Sequence, residues 1–239
     1  GSSAGLSVTT GINNTIVGGL AGDALTTGNS NVAIGYNSLS TEDSGGRNTA
    51  IGWSTLTNLD AGADAYNVAV GYNAANDMTT ALQSVVIGGF AGDAITTGSY
   101  NIAIGYNALT AETGANRNTA IGYFALSTQN KGSGDANNVA IGHSAGQNVS
   151  TGIQNVIIGN NAGDALTTAN YNVAMGYEAL STEDTTGGVT AIGYKALKMQ
   201  NADSTSYNTA VGYQAGENVT TGINNTIVGG LAGDALTTG

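Results

Sequence analysis

Apolar residues in this chain come in runs of three, small or β-branched, each set between an asparagine and a glycine, as in Asn31-Val32-Ala33-Ile34-Gly35. A helix needs a 3.6-residue period over ten or more residues, so runs this short, bounded by turn residues, predict strands. The glycines that close the runs are Gly18, Gly35, Gly52, Gly71, Gly88, Gly105, Gly122, Gly142, Gly159, Gly176, Gly193, Gly212 and Gly229. Their spacings read 17, 17, 19, 17, then 17, 17, 20, 17, then 17, 17, 19, 17, so thirteen copies fall into four-coil units of 70, 71 and 70 residues. A period of this length is too short for two-helix repeats, and short strands repeating at a fixed interval stack in parallel, coil on coil. The expected fold is therefore all-β, a parallel β-solenoid with coils of 17–20 residues. It forms a single array over 7–239, with residues 1–3 set aside as an expression scar.

Within each strand the residues one and three before the glycine share a face. Val32 and Ile34 are expected to fill the coil interior, with Ala33 between them facing out. The residue three after the glycine is almost always Ala, Ser or Thr, which predicts a second face that another backbone could approach closely. Coils this thin bury little by themselves, so self-association is expected. The Asn four before the glycine is replaced only at Ser84 and Val189, and stacked Asn side chains can hydrogen-bond along the array. One coil in each unit differs: those at Gly18, Gly88, Gly159 and Gly229 carry Ala-Gly-Asp, with Asp23, Asp93, Asp164 and Asp234, and a bulkier Ile16, Val86, Ile157 or Ile227 within the strand.

Composition narrows the function. There is no cysteine, one histidine (His143), and no proline to interrupt a ladder of backbone donors. The formal charge of −11 argues against nucleic acid as a partner, and no apolar run is long enough to insert in a membrane. No constellation of nucleophile, base and orienting group is present, so neither catalysis nor a cofactor is expected. A lone Asp per four coils cannot supply the six to eight oxygens that calcium takes, so the Ala-Gly-Asp aspartates read as turn or cap residues.

The stretches Asn101-Ile102-Ala103-Ile104-Gly105-Tyr106-Asn107-Ala108-Leu109 and Asn118-Thr119-Ala120-Ile121-Gly122-Tyr123-Phe124-Ala125-Leu126 resemble the head repeats of trimeric autotransporter adhesins and the repeats of phage-type tail fibres. The resemblance covers essentially 7–239. It implies left-handed β-roll coils, an intimately associated homotrimeric fibre, an extracellular location on a cell surface or virion tail, and attachment to a cell-surface glycan or protein receptor. Coils of 17 to 20 residues, longer than the adhesin head repeat, favour the tail-fibre group.

The position after the motif glycine carries the candidate receptor contacts: Tyr36, Trp53, Tyr72, Tyr106, Tyr123, His143, Tyr177, Tyr194 and Tyr213. Rings on an outer surface can stack on sugar faces, or simply on one another. The ring is missing where the strand carries its bulkier Ile or Val, which suggests volume compensation and so packing. A second set, Tyr66, Tyr100, Tyr171 and Tyr207, precedes the motif Asn and is expected in a turn. Glu42-Asp43, Glu112 and Glu183-Asp184 occupy equivalent connections, followed by Arg47, Arg117 and, where a third arginine is expected, Gly188. They are read as solvated loops. Two other functions fit a stacked array: an ice-binding solenoid, which needs outward Thr residues separated by one on a flat strand, and a tailspike-like polysaccharide depolymerase, which needs an acidic groove.

Overall fold

The structure is a computed structural model that describes residues 1–238, so the last residue of the repeat array, Gly239, lies outside the described residues. It is a parallel β-solenoid, and among the described residues there is no helix, hence none long and apolar enough to cross a membrane. The strands are β1 (Thr15–Val17), β2 (Val32–Ile34), β3 (Thr49–Ile51), β4 (Val68–Val70), β5 (Val85–Ile87), β6 (Ile102–Ile104), β7 (Ala115–Asn116), β8 (Thr119–Ile121), β9 (Gly134–Asp135), β10 (Val139–Ile141), β11 (Val156–Ile158), β12 (Val173–Met175), β13 (Thr190–Ile192), β14 (Thr209–Val211) and β15 (Thr226–Val228). Two compact units divide the chain, one of residues 1–118 with 132–134, the other of 119–131 with 135–239. In the first, β1 to β6 pair in parallel and in register, Ile16 beside Ala33, Ala33 beside Ala50. In the second, β8 and β10 to β15 do the same.

The strands sit the opposite way round from expectation. Ala33, Ala50, Ala69 and Ala103 are completely buried, whereas Val32, Ile34, Thr49 and Ile51 on either side are only half-buried. The small residue of each strand thus points inward and the two β-branched residues point out. Strand alternation fixes which residues share a face but not which face is the interior. Interior space decides: the opposite wall already supplies bulk from Leu39, Leu56 and Leu109, four residues after a motif glycine, and from Leu25, Leu59, Met78 and Ile95, seven after it, all fully buried. The small residues three after the glycine, such as Ala21, Ser38, Ala74 and Ala108, are likewise inside and form no second outer face. Each buried leucine contributes about 1.5–3 kcal/mol.

The bulkier strand residues of the Ala-Gly-Asp coils compensate for a missing side chain inside the coil, rather than for the missing ring outside. Where Leu39 or Leu109 would stand, these coils have Gly22, Gly92 and Gly163, and a Cβ there would touch Ile16, Val86 and Ile157 at 3.4 Å. Neighbouring coils share the filling, because a Cβ on Gly146 would meet Ile157 Cδ1 at 2.8 Å and Leu126 Cδ2 at 3.1 Å.

The asparagine ladder is present and runs chiefly from side chain to backbone, with a rung between side chains where Asn155 Nδ2 donates to Asn138 Oδ1 (3.2 Å). Asn31 Oδ1 accepts from the N–H of Asn48 one turn on (2.9 Å), while its Nδ2 donates to the Gly45 carbonyl (2.9 Å). Asn48, Asn101, Asn138, Asn155 and Asn172 accept in the same way from Asn67, Asn118, Asn155, Asn172 and Val189. Ser84 keeps the chain going, donating its N–H to Asn67 and accepting from Asn101 N–H at 3.2 Å. The asparagine itself is not left-handed; the residue before it is, including Arg47, Tyr66, Tyr100, Arg117, Tyr171 and Tyr207 with φ of 48° to 62°, as are residues two and four after the motif glycine such as Asn37 and Leu39.

Residues 1–8 are not outside the array. Gly1 lies against Gly18, the Ser2 carbonyl accepts from Leu20 N–H (2.9 Å) and Gly5 N–H donates to Ala21 (2.9 Å), so this segment is a partial turn in the same register.

The motif glycines hold φ near 130° to 140°, and a Cβ on Gly52 would overlap the Gly71 carbonyl. Gly52→Ala is therefore expected to destabilise the fold by at least about 3 kcal/mol, combining strain at positive φ with overpacking. Thermal unfolding followed by circular dichroism checks this, with Gly62→Ala as the reference, since Gly62 is also at positive φ but has open space beside it.

Candidate functional site

Two outer features and one buried one carry chemistry. The first is the ring column after the motif glycine. Tyr36, Trp53, Tyr72, Tyr106, Tyr123, Tyr177, Tyr194 and Tyr213 are all exposed, between 39% and 55%, and His143 is exposed beside them. They also stack on one another. Tyr36 and Trp53 have centroids 4.5 Å apart, Tyr123 and His143 5.2 Å, and Tyr177, Tyr194 and Tyr213 form a three-ring stack at 5.4 and 5.1 Å with planes within 13° of parallel. Packing and exposure thus coexist: each ring lies against its neighbours and leaves an edge to solvent, at about 0.5–1.5 kcal/mol per pair.

The glycines that interrupt the column have a local reason. A Cβ on Gly19 would stand 3.3 Å from the Tyr36 ring, and one on Gly89 3.4 Å from the Tyr106 ring, so the tyrosine of the next turn leans over each glycine. At Gly89 the column is bridged rather than broken. Phe90, one residue later, sits edge-on to Tyr72 (5.2 Å) and Tyr106 (6.0 Å). A depression of about 250 Å³ between Phe90, Tyr106 and Thr110 holds Asp93, whose carboxylate accepts from the Thr110 hydroxyl. Beside the last stack, Lys198 pairs with Glu178 at 2.6 Å, and Lys195 lies 5.2 Å over the Tyr194 ring. The Lys198 ammonium, with the Tyr177 hydroxyl, holds the Glu178 carboxyl below its ordinary value.

The second outer feature is the column before the motif asparagine. Arg47 pairs with Asp64 (2.7 Å) and stands 5.4 Å over the Tyr66 ring, and Arg117 stands 5.8 Å over Tyr100. These exposed pairs are specific in geometry but weak in energy.

The buried feature corrects the reading of the acidic connections as solvated. Glu42, Glu112 and Glu183 are completely buried. Each stands seven residues after a motif glycine, in the column that elsewhere holds Leu25, Leu59, Met78 and Leu166 and the buried Gln129 and Gln200, and each accepts from backbone donors. Glu42 accepts from Gly45 N–H (2.6 Å) and from Ala61 N–H of the next turn (3.1 Å); Glu183 does the same with Thr186 (3.1 Å) and Ala202 (3.3 Å). Glu112 Oε1 accepts from Thr113, Gly114 and Ala115 at 2.9, 3.0 and 2.8 Å. A polar residue repeated within an apolar column was the signal available in the sequence. Carboxylate oxygens of Glu42, Asp43 and Asp60 lie within 4.8 Å of one another. Backbone donors already engage both Glu42 oxygens, so the group is accounted for as a turn lock.

Glu112→Leu would remove the acceptor from three amides, of which those of Gly114 and Ala115 are buried, at about 1–3 kcal/mol for each buried donor. Glu112→Gln keeps an acceptor oxygen, so the expected order of melting temperature is wild type, then Gln, then Leu. A leucine variant as stable as wild type would remove the lock from the account.

Burial raises the carboxyl pKa of Glu42, Asp93 and Asp164 above the ordinary 4.5, 3.8 and 3.8, against backbone donors for Glu42, the Thr110 hydroxyl for Asp93, and backbone donors for Asp164. Between the ordinary and the raised values the folded chain holds more protons than the unfolded one. Stability from these groups therefore falls as pH rises through the raised values and is regained on acidification. Glu178 acts in the opposite sense, but it is the weaker contributor because its partners are close to solvent. Melting is expected to shift upward from pH 7 to about pH 4.5, and less so in Glu42→Gln; a steady fall over that range would contradict it.

Comparison with known proteins returns no family model that matches the chain and no significant match to a curated protein or a solved structure.

Proposed function

We propose that this chain is a segment of an extracellular attachment fibre. In this reading three copies associate along their strand faces, and the outer columns meet a cell-surface glycan or protein receptor. The observation that carries the proposal is the outward face of the strands. Two in-register columns of Val, Ile and Thr run along each unit, half-buried at best, with Val17, Ile87, Ile141, Val211 and Val228 exposed at 36% or more. A continuous apolar strip of this kind on a chain of charge −11 marks a surface that another chain covers. A second copy supplies an identical flat strip, and the resemblance to trimeric adhesin heads and tail fibres supports the number three. Attachment through many weak, repeated contacts needs no deep pocket in any one coil.

The same face favours one second reading. Thr15, Thr49, Thr119, Thr190, Thr209 and Thr226 are on strands, three residues before the motif glycine, in the outward column that ice binding requires. The companion column is Val, Ile or Met, which fits association better than an ice-matching Thr-x-Thr face. Thermal hysteresis in a cooled sample would decide for ice.

Light scattering is expected to give about three times the 23.5 kDa of one chain. Ile104→Lys is expected to return the mass of one chain with the β-sheet circular dichroism retained, and to weaken attachment to cells through lost multivalency. A wild-type chain that is monodisperse at 23.5 kDa would refute the association.

A further inference from the structure

The three four-coil units differ at one outer place in a coordinated way. In the first, Arg47 lies on the Tyr66 ring of the next turn and is paired to Asp64; in the second, Arg117 lies on the Tyr100 ring of the turn before. The corresponding residue of the third is Gly188, which has a tyrosine one turn away on both sides, Tyr171 and Tyr207. The residue corresponding to Asp64 is there Thr205, two before the tyrosine in each case. Both members of the ion pair are thus exchanged together, for a hydrogen and a hydroxyl.

The result is a cleft of about 610 Å³ with Tyr171 and Tyr207 in its walls, Gly187 and Gly188 in its lining, and Thr205, Ser204 and Asp203 on one side. This volume lies within the range of small-ligand sites, roughly 300–1,000 Å³. The two rings are exposed at 62% and 65%, against 49% and 47% for Tyr66 and Tyr100, which carry an arginine. Strands two turns apart are about 9.6 Å from each other, enough for one saturated ring in van der Waals contact with an aromatic on either side. The Tyr207 ring reaches over Gly188, where a Cβ would stand 3.0 Å from Cδ1.

We propose that this cleft binds a neutral saccharide, one or two pyranose rings seated between Tyr171 and Tyr207 with their hydroxyls on Ser204, Thr205 and Asp203. Loss of the arginine and of its paired carboxylate leaves Asp203 as the one charged side chain in the lining, where it can accept hydrogen bonds from sugar hydroxyls. Two ring faces beside hydroxyls and a carboxylate match a pyranose, which has apolar C–H faces and polar edges. The volume also exceeds what one guanidinium fills. The inference rests on the attachment reading and gives it a defined contact point, distinct from the ring column after the motif glycine.

The chain labelled with 3-fluorotyrosine is titrated with lactose, maltose and diacetylchitobiose at millimolar concentration and followed by fluorine NMR, with Tyr171→Phe and Tyr207→Phe used for assignment. The resonances of Tyr171 and Tyr207 are expected to move with at least one disaccharide. The double variant Gly188→Arg, Thr205→Asp rebuilds the resident ion pair of the first unit. Gly188 stands at φ 77°, near the 62° at which Arg47 and Arg117 are held, and the exposed Tyr207 ring has to give way by a few tenths of an ångström to the new Cβ, so circular dichroism is expected to keep its β-sheet form while affinity falls at least about tenfold. Absence of shifts with all three sugars, or shifts that survive the double variant, would overturn the proposal. Shifts with arginine ethyl ester in preference to the sugars would overturn it too, assigning the cleft to a basic side chain. Cell attachment measured on the same two proteins separates the two ideas: attachment without disaccharide shifts removes only the cleft, and disaccharide shifts without attachment remove only the fibre reading.

Discussion

In each unit successive backbones approach closely at the motif glycine. With φ near 130° to 140°, the place where Gly35 would carry a Cβ is already taken by the Gly52 carbonyl, and Gly52 stands in the same relation to Gly71. This approach sets the stacking distance and brings equivalent residues into register. Every other regularity follows from that register. An asparagine oxygen can reach the amide of the next asparagine only if both occupy the same place in successive turns, and rings can stack face to face only if their Cα atoms are one strand spacing apart. A side chain at the motif position would disturb the asparagine ladder and the ring stacks together.

Periodicity made most of this legible. The glycine spacing gave the turn length, the parallel stacking and the columns, while Tyr66, Tyr100, Tyr171 and Tyr207 prove to hold positive φ before the motif asparagine. Inside and outside were not legible, and the reason is the narrowness of the coil. In a sheet packed on another layer the larger residues of an alternating strand face in, but here the facing wall carries Leu39 or Leu109, and only an alanine fits opposite. Ile16, Val86 and Ile157 show the rule by exception, because each faces a glycine instead of a leucine. Glu42, Glu112 and Glu183 were visible as charged residues at equivalent places. Their place in an otherwise largely apolar column hinted at burial, but that they turn inward depends on backbone N–H groups that need an acceptor where the connection bends, and those donors are visible only in the structure.

The ring column and the arginine–tyrosine column were legible as positions but not as geometry. Sequence shows a ring after most motif glycines; it does not show that Phe90 fills the gap at Gly89, because Phe90 is out of register by one residue. It also offers Gly188 merely as a departure. Only with Tyr171 and Tyr207 placed on neighbouring turns does the missing arginine become a space with walls.

A solenoid whose interior is held by identical contacts in every turn has little freedom to specialise inside. A change to Ala33 or Leu39 alters a column shared with the turns above and below, and the pairing of Gly22, Gly92 and Gly163 with Ile16, Val86 and Ile157 shows such changes made in compensating sets. Outer positions carry no such debt. Replacing the ion pair of Arg47 and Asp64 by Gly188 and Thr205 removes an exposed interaction of small energy and leaves the ladder, the core and the motif glycines as they were. Differences between otherwise repeated units should therefore collect outside the coil, and a paired difference that opens a cleft between two aromatic rings is where a repeat of this kind has room to acquire a function of its own.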